Sequence, residues 1–74
     1  MMTLEIIEAP LPGKVLEVNV KPGDKVTEGT EVCTIESMKM ENPLLSPVSG
    51  IVKEVKVSPG QAVKGGETIA IIEY

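Results

Sequence analysis

Histidine, arginine, phenylalanine and tryptophan are all absent from these 74 residues, and cysteine and tyrosine occur once each. Without histidine, the usual general base and the commonest zinc ligand are both missing. One thiol, Cys33, excludes an internal disulfide and any CxxC metal or redox pair. Seven lysines against eleven acids give a net charge of −4. Nucleic-acid binding needs a basic face with guanidinium forks or aromatic platforms for stacking bases, and this chain offers none of them. Apolar runs are also short. The longest, residues 69–72, has four members, against the roughly 20 that span a bilayer as a helix, so no direct membrane insertion is expected. The opening Met1-Met2-Thr3-Leu4-Glu5 has neither the basic nor the apolar region of a secretory signal. With an unpaired thiol this predicts a cytoplasmic setting, and the length predicts a single domain over residues 1–74.

The residues that are present favour strands. Ten valines and seven isoleucines stand against five leucines and three alanines, and β-branched side chains lose rotamer freedom in a helix. No stretch carries a capped 3.6-residue stripe, so no helix is predicted. A shift of 37 residues lays positions 10–36 on 47–73 with 12 identities in 27 ungapped positions. Among them, Glu17-Val18 meets Glu54-Val55, Pro22-Gly23 meets Pro59-Gly60, and Ile35-Glu36 meets Ile72-Glu73. Two copies are too few for a solenoid and imply a pseudo-two-fold domain with one shared core. Residues 14–20 and 51–57 read as matched strands, and 32–36 and 69–73 as closing strands. Lys21-Pro22-Gly23-Asp24 and Ser58-Pro59-Gly60-Gln61 read as type II turns, since proline presets φ and the next glycine accepts a positive φ. Glu28-Gly29-Thr30 and Gly65-Gly66-Glu67 form a second matched pair of turns. Short strands between such turns argue a small β-sandwich or barrel.

Function is expected where the symmetry fails. Copy two ends at Glu73 and Tyr74, whereas copy one runs on through Ser37-Met38-Lys39-Met40 into Glu41-Asn42-Pro43. Strands 32–36 and 41–46 flank this link, so it must reverse the chain at one pole, with both termini near the other. It contains no Gly, Asn or Asp, the residues that make tight reversal easy. Chemistry that breaks a local rule points to a functional site.

Glu36-Ser37-Met38-Lys39-Met40 closely resembles the Glu-(Ala/Ser)-Met-Lys-Met signature of biotinyl domains, the biotin carboxyl carrier proteins. Pro47-Val48-Ser49-Gly50, Val52, Val55 and Gly60-Gln61 extend the resemblance, which runs from about Ile7 to the last residue. It implies an all-β fold: a flattened β-barrel, or barrel-sandwich hybrid, of two four-stranded antiparallel sheets related by the pseudo-two-fold. It implies biotin attached covalently to Lys39, with Met38 and Met40 as recognition neighbours and Glu36 and Ser37 as the rest of the hairpin signature. The implied partners are a biotin protein ligase, a biotin carboxylase, and a carboxyltransferase or decarboxylase. The chain itself is then a non-catalytic carrier. Ser37 stands where the family commonly has Ala, a change expected to have little effect. There is no room between Gly13 and Gly23 for the extra loop that some family members insert, and no Ala/Pro-rich linker precedes Ile6.

Each residue also has a plainer reading. A lysine is ordinarily a solvated surface charge; the hairpin position and flanking methionines set Lys39 apart. Methionine is ordinarily core filler, but two that bracket a turn apex cannot both point inward. Glu36 and Glu41 read as solvated charges, and Cys33 as a small buried residue. The alternatives are a lipoyl carrier domain, which typically has Asp-Lys-Ala at the turn, and an unmodified barrel-sandwich interaction module. An enzyme in its own right lacks a second nucleophile, a base and a metal set.

Overall fold

A computed structural model describes residues 3–74. Met1 and Met2, which belong to the N-terminal reading and to the 1–74 span, lie outside the described residues. The β-branched segments form eight strands: β1 Leu4–Glu8, β2 Gly13–Val18, β3 Lys25–Val26, β4 Glu31–Ser37, β5 Met40–Leu45, β6 Gly50–Val55, β7 Ala62–Val63 and β8 Thr68–Glu73. They build two four-stranded sheets, ordered β1-β8-β6-β3 and β5-β4-β2-β7. Every pairing is antiparallel. Among the described residues no ladder joins one sheet to the other, so the barrel is flattened and open at its edges, closer to a sandwich than to a closed cylinder.

Adding 37 to the bounds of β2 and β3 gives those of β6 and β7, and β4 falls on β8. The short strands cross over: β3 pairs with β6, and β7 pairs with β2. Neither half could complete a sheet without the other. β1 and β5 also take equivalent edge positions, although residues 4–9 and 41–46 share no identity at this shift. Burial shows what the identities miss, since Ile7 and Leu44 are both buried, as are Ala9 and Ser46.

The core follows the same symmetry. Val15 and Val52, Val26 and Val63, Val32 and Ile69, and Ile35 and Ile72 are buried as equivalent pairs. Cys33 is buried where copy two has Ala70, so its slot calls for a small side chain. Burial, and after it the Glu17 charge, pushes its thiol up from the ordinary range. Valine and isoleucine dominate, and Leu44 is the one leucine in the core. Strands β2 and β6 each carry a register shift, between Val15 and Glu17 and between Val52 and Glu54. A bulge inserts one residue and resets which face follows. Leu16 and Glu17 are therefore both exposed, and a simple alternation does not run through either strand.

The four turns are built alike. Gly23, Gly29, Gly60 and Gly66 all have positive φ. Each turn closes with a backbone bond such as Asp24 N–H to Lys21 O at 3.0 Å or Gln61 N–H to Ser58 O at 3.1 Å. A side chain then accepts the first N–H of each turn: Asp24 from Lys21, Thr30 from Thr27, Gln61 from Ser58 and Glu67 from Lys64. These acceptors fix the turns from both directions.

Two poles result. The turn before β8 lies against the β1–β2 connection, where Ala9 N–H donates to Glu67 O at 2.9 Å. From there β8 runs six residues to Glu73, about 17 Å at 3.3–3.4 Å per residue. At that far pole Thr3 and Tyr74 exchange backbone bonds of 3.0 and 2.9 Å. At the near pole stands the β4–β5 hairpin.

Candidate functional site: the lysine hairpin

Strands β4 and β5 pair from Glu31↔Leu45 out to Ser37↔Met40. Ser37 and Met40 are thus strand residues, and the reversal is shorter than the four-residue link suggests. It consists of Met38 and Lys39 alone, with φ of 55° and 64°. Two successive left-handed residues in a two-residue hairpin define a type I′ turn, normally built from Asn-Gly, Asp-Gly or Gly-Gly. The left-handed region costs an ordinary L-residue roughly 1–2 kcal/mol. Among the described residues these are the only non-glycine positions at positive φ. A strained conformation persists only where its surroundings impose it, and here a paired ladder does so on both sides.

The turn displays its side chains outward. Met38 is 86% exposed and Met40 65% exposed, so both methionines face away from the core. Lys39 is exposed, and among the described residues it takes part in neither of the ion pairs, which join Lys21 to Asp24 and Lys56 to Glu54. Its amine is a free acceptor for an acyl group. The chemistry of this donor fits covalent attachment of biotin through an amide.

Beneath the apex, Glu36 lies opposite Glu41 on β5 and opposite Lys14 on β2. All three are exposed, which places two carboxylates and one ammonium in a row across the outer face. Gly13 lets β2 approach this point closely, because a Cβ there would collide with the Glu36 carbonyl oxygen. Ser37 Oγ donates to the Pro12 carbonyl at 2.8 Å. Asn42 Nδ2 donates to Met40 O at 3.3 Å and to Ile35 O at 3.4 Å. Sequence reasoning missed Pro12 and Asn42. Their contribution runs through a backbone oxygen and a cross-strand amide, neither of which leaves a residue pattern.

The hairpin and the flattened two-sheet fold define a protein that presents one lysine on a rigid projection. Residues 5–72 match the family described as "Biotin-requiring enzyme", and the chain belongs to that family, whose cofactor is covalently attached biotin. Over 42 residues it is 52% identical to the mitochondrial propionyl-CoA carboxylase alpha chain of Homo sapiens. Over 39 residues it is 54% identical to the glutaconyl-CoA decarboxylase subunit gamma of Acidaminococcus fermentans. These stretches cover 57% and 53% of this chain, but 6% and 27% of those proteins. In solved structures, it superposes with a TM-score of 0.88 on a single-chain, multi-domain long-chain acyl-CoA carboxylase, at 30% identity over 95% of this chain and 7% of that one. The urea carboxylase of Kluyveromyces lactis gives the same TM-score at 28% identity, over 97% of this chain and 6% of that one. The similarity is to the carrier region of biotin-dependent carboxylases and decarboxylases, and a carrier role follows from it.

Proposed function

We propose that residues 1–74 act as one carrier domain, that Lys39 Nζ is the atom that receives biotin from a biotin protein ligase, and that the loaded domain moves carboxylate between two active sites in the cytoplasm. One site belongs to a biotin carboxylase and the other to a carboxyltransferase or decarboxylase. The observation that carries this reading is the placement of Lys39, exposed and unpaired, at the apex of a strained two-residue turn inside the Glu36–Met40 signature. A cytoplasmic setting is supported by the unpaired thiol.

Attached biotin supplies the group that takes up carboxylate at one site and releases it at the other. The chain's own residues do the rest. The lysine amine attacks the biotin carboxyl carbon that the ligase has activated, the activating group departs with its oxygen as protons leave the nitrogen, and the new amide removes one positive charge, as acetylation would. Met38 and Met40 offer polarizable apolar contact on both sides of that bond. The β4–β5 ladder fixes the base from which the side chain swings. Lysine stem and biotin arm together reach roughly 10–15 Å by standard bond lengths. A tether of that length keeps the cofactor at high effective concentration near its partners without fresh capture in each cycle.

Intact-mass measurement after co-expression with a biotin ligase tests the reading. One biotin adduct, mapped by peptide sequencing to Lys39, is expected. A lipoyl adduct, an unmodified mass, or biotin on another lysine overturns it.

A further inference from the structure

The β2–β4 ladder ends at Lys14↔Glu36. Val15 and Gly60–Gln61 exchange backbone bonds on the other side of β2, so alternation turns the Lys14 backbone toward β4. The next carbonyl of that parity is Pro12's. No backbone N–H of β4 reaches it among the described residues, and the Ser37 hydroxyl takes it instead at 2.8 Å. Outward of Glu36 and Glu41, residues 37–40 are held by their own Ser37↔Met40 rung and by Asn42 from β5. Among the described residues, Ser37 Oγ to Pro12 O is the one hydrogen bond that ties this tip to any other element. At the far pole, no equivalent bond joins Tyr74 to Ser49 among the described residues.

We infer that Ser37 is a positioning residue, whose hydroxyl locks the lysine turn to the β1–β2 connection and so fixes the direction in which Lys39 is presented to the enzyme that modifies it. The inference deepens the reading of Lys39 as the attachment site and rests on it. The physical reason is leverage. A two-stranded tip that extends past its third strand can twist about its base, because an isolated hairpin is marginal in water. One tether to a neighbouring connection removes that freedom at the point where a small rotation displaces the amine most. An alanine at this position could not form the bond. Because the hydroxyl is turned to Pro12, it contributes orientation and not a docking contact, so its loss falls on the turnover step.

Ser37→Ala and Ser37→Thr in the full chain test this, with amide exchange and ligase kinetics as readouts. In Ser37→Ala the Met40 amide should exchange about five-fold faster, the scale of one ordinary hydrogen bond, while the Tyr74 amide at the far pole keeps its rate. Biotinylation kcat should fall about three- to five-fold with KM unchanged. Ser37→Thr, which keeps a hydroxyl on a strand-compatible side chain, should restore both. Unchanged Met40 exchange in Ser37→Ala overturns the tether. A loss carried by KM alone, or no rescue by Ser37→Thr, overturns the positioning role. If the wild-type chain takes no biotin on Lys39, the proposed function fails, and the exchange measurement still decides the tether.

Discussion

The two poles of this molecule are built from equivalent strands and closed in different ways. At the far pole, Thr3 and Tyr74 pair across β1 and β8, and the outer row beside them is Leu4, Glu73 and Ile51. At the hairpin pole, Ser37 and Met40 make the equivalent pair, and the outer row is Glu41, Glu36 and Lys14. The backbone frame is shared. The hairpin row carries three charged side chains against the single Glu73 of the far row, and among the described residues the strained Met38-Lys39 turn and the Ser37 tether occur at the hairpin pole alone. What the fold needs is therefore present twice, and what it does not need is present once. Features of the second kind are where the proposed function is placed, since a scaffold alone specifies no activity.

Substitution at the lysine separates the poles most sharply. Lys39→Arg should abolish streptavidin-detectable labelling, because a guanidinium that stays protonated is no nucleophile. Its unfolding midpoint should remain within a few degrees of the parent, since the side chain is exposed. Labelling that persists in this variant would falsify the assignment of Lys39.

A smaller loss is expected when the same atoms are rearranged. Exchanging Met38 and Lys39 keeps composition and charge but moves the amine one step along a two-residue turn, where each residue projects differently. Biotinylation should drop at least ten-fold by rate, on the scale that misplacement of a reacting group costs. Met38→Leu and Met40→Leu keep bulk and position and should retain most of the activity. Equal rates for the exchange variant and the parent would show that the ligase reads a flexible peptide, and the rigid-turn account would have to go.

The glycine pair tests the equivalence of the frames directly. Gly13→Ala drives a methyl group into the Glu36 carbonyl, and Gly50→Ala does the same to the Glu73 carbonyl. Each should destabilise the fold by about 1–3 kcal/mol, the usual cost of overpacking, measured by urea unfolding. Only Gly13→Ala lies under the hairpin, so only that variant should also slow biotinylation at temperatures where both are folded. Parallel slowing in both variants would mean that labelling follows global stability and not local presentation.

The least effect belongs to the modification itself. The apex lies outside the core, so apo and biotinylated chains should melt within a few degrees of each other in calorimetry. A disordered apo form beside a folded modified form would make the cofactor structural and would undo the separation between frame and function.

Much of this was legible in the residues because the signals are local. Proline and glycine determine φ within a turn without help from distant contacts, so the Lys21–Asp24 and Ser58–Gln61 reversals could be placed from residue types alone. The lysine hairpin was legible through its short signature and through the departure from turn chemistry that the φ values of Met38 and Lys39 now explain. Strands β3 and β7, with two residues each, are too short to show any period. The bulges in β2 and β6 reset the face of each strand and hid the rest.

By itself the sequence determined the pseudo-two-fold, the all-strand class, the turns and the lysine at the point of broken symmetry, because each rests on covalent geometry or on residues compared in register. Tertiary structure alone decided that the halves exchange β3 and β7, that one leucine of five enters the core, that the reversal is two residues long, and that Ser37 reaches Pro12. Those outcomes depend on which strands lie side by side. Register between segments as distant in sequence as β3 and β6, or Pro12 and Ser37, is set by the packing of the whole core, and no single stretch of the chain contains it.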